Sequence, residues 1–135
     1  MKMEESTDTI AEILYRSGVR HVVASSGSRS LRMVRAAARH TGLTVRMIID
    51  ERVAAFSALG ISDCVSEPVA LVCTSGSAML NYAPAISEAY YRGVPLIVIT
   101  ADRPINVIDI NDGQTIHQYH ALDNIVKASV DIDAT

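Results

Sequence analysis

Residues 69–73, Val-Ala-Leu-Val-Cys, make an unbroken apolar run bounded by Pro68 on one side and by Thr-Ser-Gly-Ser on the other. The run has strand length and ends in a glycine turn, and a strand with no polar face has to be covered on both sides. Residues 96–99, Leu-Ile-Val-Ile, repeat the pattern after Gly93 and read as equally buried. Two such strands exclude a sheet with one wet face and require helical layers above and below it.

The rest of the chain supplies those layers. A helix is expected from Asp8-Thr9 with Ile10, Ile13 and Leu14 on one face and a stop at Ser17-Gly18, followed by a short buried strand over 21–24. The spacing over 31–40 predicts a helix with Leu31, Val34, Ala37 and Ala38 inward and Arg32, Arg35 and Arg39 on a solvated face. Residues 45–49 read as a further buried strand, and 52–59 as a helix whose Ala54, Ala55, Ala58 and Leu59 pack closely against something flat. A long helix over 78–91, with Leu80, Ala83, Ile86, Ala89 and Tyr90 inward, carries Pro84 inside it, which demands an irregular opening turn or a bend. Beyond Thr100 a loop containing Asp109 and Asn111 leads to a short helix over 114–120, with His117 and Gln118 outward, and to an edge strand over 127–130. The expected fold class is α/β: a three-layer α/β/α domain over 1–135 with a mostly parallel central sheet and right-handed crossovers.

Composition narrows the function classes. The net charge of -3 is spread without a basic stripe, which argues against a nucleic-acid partner, and no segment has the length of a membrane span or the build of a signal peptide. A soluble, cytoplasmic protein is expected, with its two cysteines, Cys64 and Cys73, unpaired. The absence of tryptophan, the single phenylalanine and the many alanines point to close helix–sheet approach and modest stability. Residues 131–135 lack the composition of a natural tail, so the chain is expected to be a piece of a longer polypeptide.

In a parallel sheet all strand exits share one edge, the usual ligand-binding rim. That edge would gather Ser25 to Ser30, Asp50-Glu51, Thr74 to Ser77 and Thr100 to Arg103. Gly27 and Gly76 would let backbone amides approach an anion, or serve plain helix starts. No Walker sequence, Gly-x-Gly-x-x-Gly fingerprint or Gly-x-Ser-x-Gly elbow is present, and His117 and His120 lack a third ligand, so no metal site is assigned. Glu51 reads as a helix-start carboxylate held by the dipole, or as a carboxylate kept ready to hold a proton on a cofactor ring.

Several segments in order carry a resemblance: Ser-Gly-Ser-Arg-Ser (26–30), Asp-Glu-Arg with Ala-Phe-x-Ala-Leu-Gly (50–60), Thr-Ser-Gly-Ser-Ala (74–78), Thr-Ala-Asp-Arg-Pro (100–104) and Gln-Thr-Ile-x-Gln (114–118). Together they resemble the N-terminal pyrimidine-binding domain of thiamine-diphosphate-dependent enzymes, and within these the carbon–carbon bond-forming synthases of menaquinone biosynthesis. The resemblance implies the thiamine-diphosphate-binding fold. It implies that Glu51 is catalytic, hydrogen-bonding N1' of the aminopyrimidine, and that Thr74, Ser75 and Gly76 bind the cofactor. It further implies that Ser28, Arg29, Arg103 and Gln114 bind the substrates, 2-oxoglutarate and isochorismate. Mg2+ would be held by a separate C-terminal domain, with the site completed in a homodimer or homotetramer, so that this piece alone is inactive. Ser26, Leu31-Arg32-Met33 and Met47-Ile48-Ile49 depart from the family's usual residues, which keeps an acetohydroxyacid-synthase-like enzyme or a 2-oxoacid decarboxylase in view. From the residues alone, a non-catalytic module binding a nucleotide or sugar phosphate and a dimerisation domain built on alanine faces also stay open.

Overall fold

The computed structural model describes residues 2–108, 110 and 112–132; Asp109 and Asn111 of the expected loop lie outside the described residues. In chain order the elements are α1 (Lys2–Arg16), β1 (His21–Ala24), α2 (Leu31–Arg39), β2 (Thr44–Met47), α3 (Glu51–Val65), β3 (Val69–Cys73), α4 (Ser77–Leu80), α5 (Ala83–Arg92) and β4 (Leu96–Thr100). The four strands form one sheet in the order β2-β1-β3-β4. Every neighbouring pair is parallel, with Val22 opposite both Val45 and Ala70, and Ala70 opposite Ile97.

The period-2 alternation of β3 assigns its side chains to two cores. Val69, Leu71 and Cys73 face a cluster with Ala54, Ala55 and Ala58 of α3 and Ala85 and Ile86 of α5. Ala70 and Val72 face the opposite cluster, with Ala11 and Leu14 of α1 and Met33, Ala36 and Ala37 of α2. Helices therefore cover both faces, the three-layer α/β/α arrangement expected from the uninterrupted apolar runs. Alanines on α3 let it lie close to the sheet, while the ring of Tyr82, the largest fully buried side chain, fills the space between the two short helices and β3.

Several expectations are corrected. α1 begins at Lys2, well before Asp8. On α2 the buried residues are Met33, Ala36 and Ala37, so the helix is rotated from the expected face and Leu31 and Ala38 are exposed. β2 is an edge strand with most of its residues exposed, and Ile49, expected within a buried strand, lies beyond it at 86% exposure. β4 is the opposite edge and only half-buried. Hydropathy of a short run does not reveal whether a strand has neighbours on both sides.

The expected long helix is divided in two. Pro84 sits in the first turn of α5, where its missing N–H is not needed, and Leu80 and Tyr90, expected inward, are exposed. Residues 114–120 form turns and extended chain in place of a helix, Gln118 is buried where an outward position was expected, and 127–130 form no strand.

Candidate functional site

From β1 the chain crosses by way of α2 to β2 on one side, whereas β3 continues to β4 on the other. The direction of winding thus reverses between β1 and β3. At such a switch point the loops leaving the two strands diverge to opposite faces of the sheet, opening a crevice at their carboxyl ends. The two loops here are those that begin at Ser25 and Thr74. They touch at the base of the crevice: a Cβ on Gly27 would lie 2.3 Å from Thr74 Cβ. The Ser25 Oγ and Thr74 Oγ1 atoms are shielded from solvent and have no hydrogen-bond partner among the described residues. Buried hydroxyls without partners are costly, and at a switch point they are groups to which a polar ligand or water can bind.

Glu51 stands on the same edge. Asp50 caps α3, its carboxylate accepting a hydrogen bond from the Val53 N–H at 2.9 Å, which leaves Glu51 as the first residue of the helix. Its side chain is half-buried and takes part in none of the ion pairs found among the described residues. Burial pushes the Cys73 thiol up to about 12, and the nearby negative charge of Glu51 adds to that shift. Tyr82 is raised for the same first reason, burial, with the Cys73 and Glu51 charges contributing. The Glu51 carboxylate is therefore electrically close to the buried end of β3. The Tyr82 hydroxyl donates to the Val72 carbonyl at 2.8 Å, and that carbonyl also accepts from the Ser25 N–H at 2.9 Å. Ser25 Oγ lies beside the phenol without a well-formed hydrogen bond to it.

The structure brings Ser75, Gly76, Arg103 and Gln114 together. The Ser75 hydroxyl donates to the Gln114 carbonyl at 3.1 Å and Gln114 Nε2 returns a bond to the Ser75 carbonyl at 3.1 Å. Arg103 Nη1 donates to the Gln114 carbonyl at 2.9 Å, Nη2 to the Gly113 carbonyl, and Nε pairs with the Asp112 carboxylate. With its side chain only 6% exposed, the Arg103 guanidinium is an internal fastener of residues 112–114 in this structure. The Gly76 N–H, a candidate anion donor in the sequence, is taken by Gln118 Oε1 at 3.0 Å. Ser28 is exposed and Arg29 half-buried on the loop into α2, next to the Gly27–Thr74 contact and apart from the Arg103 network.

Sequence reasoning missed Tyr82, named Ser25 only as part of the Ser25 to Ser30 strand exit, and placed Gln118 outward. Tyr82 was legible in principle, because Tyr82, Ala85, Ile86 and Ala89 lie three or four residues apart and form one inward stripe. Gln118 closes the Gln-Thr-Ile-x-Gln segment, but nothing local gives it a buried role, since its partner Gly76 lies 42 residues away.

The family model described as "Thiamine pyrophosphate enzyme, N-terminal TPP binding domain" matches residues 5–126. The chain belongs to this family. It is similar to proteins named 2-succinyl-5-enolpyruvyl-6-hydroxy-3-cyclohexene-1-carboxylate synthase. The one from Cytophaga hutchinsonii is 52% identical over 93% of this chain and 22% of the relative. That from Christiangramia forsetii is 48% identical over 92% and 22%, and that from Geobacillus kaustophilus 50% over 88% and 21%. The chain thus spans about a fifth of the length of these curated relatives.

The matched family is described by TPP binding, and the switch point of this chain leaves polar groups without partners where a polar ring could be met. The unpaired Glu51 carboxylate and the partnerless Thr74 hydroxyl are at the same carboxyl edge, suited to the nitrogen-rich face of an aminopyrimidine. No described helix is long and apolar enough to cross a membrane.

Proposed function

We propose that this chain is the N-terminal pyrimidine-binding domain of a longer, cytoplasmic 2-succinyl-5-enolpyruvyl-6-hydroxy-3-cyclohexene-1-carboxylate synthase. That enzyme decarboxylates 2-oxoglutarate and adds the resulting succinyl unit to isochorismate. The observation that carries the reading is Glu51, unpaired and half-buried at the start of α3, on the edge where the Thr74–Gly76 loop meets the loop of Gly27. The similarity to synthases over most of this chain supports the choice of reaction.

Thiamine diphosphate supplies the carbanion chemistry when bound, and the protein supplies position and charge. Glu51 holds a proton at the ring nitrogen N1'. Thr74, Ser75 and Gly76 line the ring, with the free Thr74 hydroxyl as a polar contact. Gly76 contributes through its shape, since its amide is already bonded to Gln118. Ser28 and Arg29, on the opposite wall of the crevice, and Gln114 with Arg103 bind the carboxylates of the two substrates; guanidinium groups suit dicarboxylic acids because they can bond both oxygens of a carboxylate. Mg2+ and the diphosphate belong to a domain beyond this chain. The outer side of α3 has an open groove of about 410 Å3 lined by Arg52, Val53, Phe56 and Ser57. Exposed apolar residues there support a homodimeric or homotetrameric enzyme in which a second domain closes the crevice.

The test is Glu51→Gln in the full-length protein. Proton exchange at thiazolium C2, followed by NMR after acid quench, should slow by about 10^2- to 10^4-fold, the usual range for loss of a positioned acid or base. Exchange at the wild-type rate would reduce Glu51 to a helix-start residue and remove the support for this reading.

A further inference from the structure

Residues 114–120 hold an arrangement that the residues themselves do not favour. Gln114 and His120 both have φ of 62°, in the left-handed region that non-glycine side chains disfavour. Such backbone persists when surrounding contacts over-determine it, and it gathers at functional segments. Gln118 lies between these two residues. It is 7% exposed, and both ends of its amide are satisfied: Oε1 accepts from the Gly76 N–H at 3.0 Å and Nε2 donates to the Ala101 carbonyl at 3.0 Å. Only this orientation of the amide matches one donor and one acceptor.

The two partners belong to different strand exits. Gly76, with φ of 83° and ψ of -147°, ends the β3 exit and starts α4, and Ala101 begins the β4 exit, its N–H extending the ladder to the Cys73 carbonyl at 3.0 Å. Gln118 therefore ties the strained segment to both exits at once. Space at this point is tight as well, since a Cβ on Gly76 would come within 2.9 Å of the Gln114 carbonyl oxygen.

We infer that Gln118 is a positioning residue for the proposed synthase. Its buried amide fixes the Gly76 turn and the Gln114 backbone in register, so that Gln114 meets substrate in a preset conformation. Gln118 touches neither substrate nor cofactor. Its effect should appear in substrate use, through Gln114, and in the local stability of the Gly76 turn. The kinetic part of this inference rests on the function proposed above; the structural part does not.

The experiment uses the full-length protein with Gln118→Met, which keeps volume and removes both hydrogen bonds, and Gln118→Glu. Hydrogen exchange of the peptide spanning residues 74–80, read by mass spectrometry, should rise about tenfold or more in Gln118→Met, as expected when a buried hydrogen bond is lost. KM for 2-oxoglutarate or isochorismate should rise by a similar factor, and thiamine diphosphate affinity should fall by less, through the Gly76 turn that lines the ring on the proposed reading. In Gln118→Glu a protonated carboxyl can still accept from Gly76 and donate to Ala101, whereas a carboxylate would face the Ala101 carbonyl oxygen. Its KM should therefore approach the wild-type value at acidic pH and rise as pH increases, a profile that mere loss of packing would not give. Unchanged exchange in Gln118→Met overturns the clamp, and changed exchange with unchanged KM overturns the positioning role. A wild-type protein that lacks synthase activity yet shows the exchange difference would retire the proposed function and leave the clamp standing.

Discussion

Gly27→Ala tests whether the crevice between β1 and β3 is as tight as the structure shows. The added Cβ would lie 2.3 Å from Thr74 Cβ, 2.7 Å from its Cγ2 and 2.9 Å from its Oγ1. Carbon atoms in contact need about 3.5 Å, so the two loops have to separate by about 1.2 Å at this point. Thr74 cannot rotate out of the way, because its nearest atom is Cβ, which is fixed to the backbone at the end of a fully buried strand. Separation would pull on the Ser25 N–H bond to the Val72 carbonyl, the last rung between the two central strands. Overpacking of this kind costs about 1–3 kcal/mol, and the fixed backbone puts the expected loss in the upper half of that range. Urea unfolding of the 135-residue chain, followed by circular dichroism, would measure it. The mechanism also makes a double-mutant claim. In a Thr74→Gly background the clash atom is gone and Gly27→Ala should cost at least about 1 kcal/mol less, whereas Thr74→Ala, which keeps Cβ, should give little relief. A Gly27→Ala protein within about 0.5 kcal/mol of the wild type, or an equal loss in both backgrounds, would refute the reasoning.

Two further outcomes follow from the ionisable groups. Cys73 is buried with its pKa pushed up to about 12 and Cys64 is exposed, so at about pH 8 a thiol reagent should titrate one thiol in the native chain and both after denaturation; two fast thiols in the native state would contradict the burial of β3. Glu12 is held below its ordinary value of 4.5, first by its hydrogen bond to His40 and then by Arg16. A depressed carboxylate pKa contributes stability that is present above the unfolded value and lost as pH falls through the folded one, so the urea midpoint should drop below about pH 4.5 by less in Glu12→Gln than in the wild type. Equal acid sensitivity in the two proteins would show that the α1–α2 contact at His40 adds nothing.

How far the sequence reached depends on where each element's partners lie. The limits of β1 and β3 were legible to the residue, because Val69–Cys73 is cut off by Pro68 and by a glycine turn, and both faces of the strand are filled. The burial of β2 and β4 was not legible. Their apolar residues describe a strand that wants cover, and nothing in a short run states that the strand is at an edge. Pro84 marked an interruption correctly while leaving its form open; the structure shows two helices with Tyr82 packed at the joint. Residues 114–120 misled for a related reason. His117 and His120 are spaced as on a helix, yet the conformation of the segment is set by Gln118, Arg103 and Ser75, whose contacts span 11 to 42 residues of sequence.

The proposed site residues divide along the same line. Glu51 is set by local chemistry, an Asp50 cap and a helix start, and no ion pair among the described residues has to be broken for it to meet a ligand as proposed. Arg103 is different. Its donors are bonded to Asp112, Gly113 and Gln114, and Asp112 presents to it the same functional group, a carboxylate, that a dicarboxylic substrate would bring. If Arg103 takes up a substrate carboxylate as proposed, the step is an exchange in which one carboxylate replaces another on one guanidinium. The free energy gained from that contact is then the difference between two similar ion pairs, while the displaced Asp112 is half-exposed and returns to water at little cost. On that reading Arg103 has modest leverage on affinity and considerable leverage on the position of residues 112–114, which it fastens. Arg29, outside the Arg103 network and on the other wall of the crevice, has no equivalent internal carboxylate among the described ion pairs, so on the proposed reading it is the arginine whose contact with substrate adds binding free energy outright.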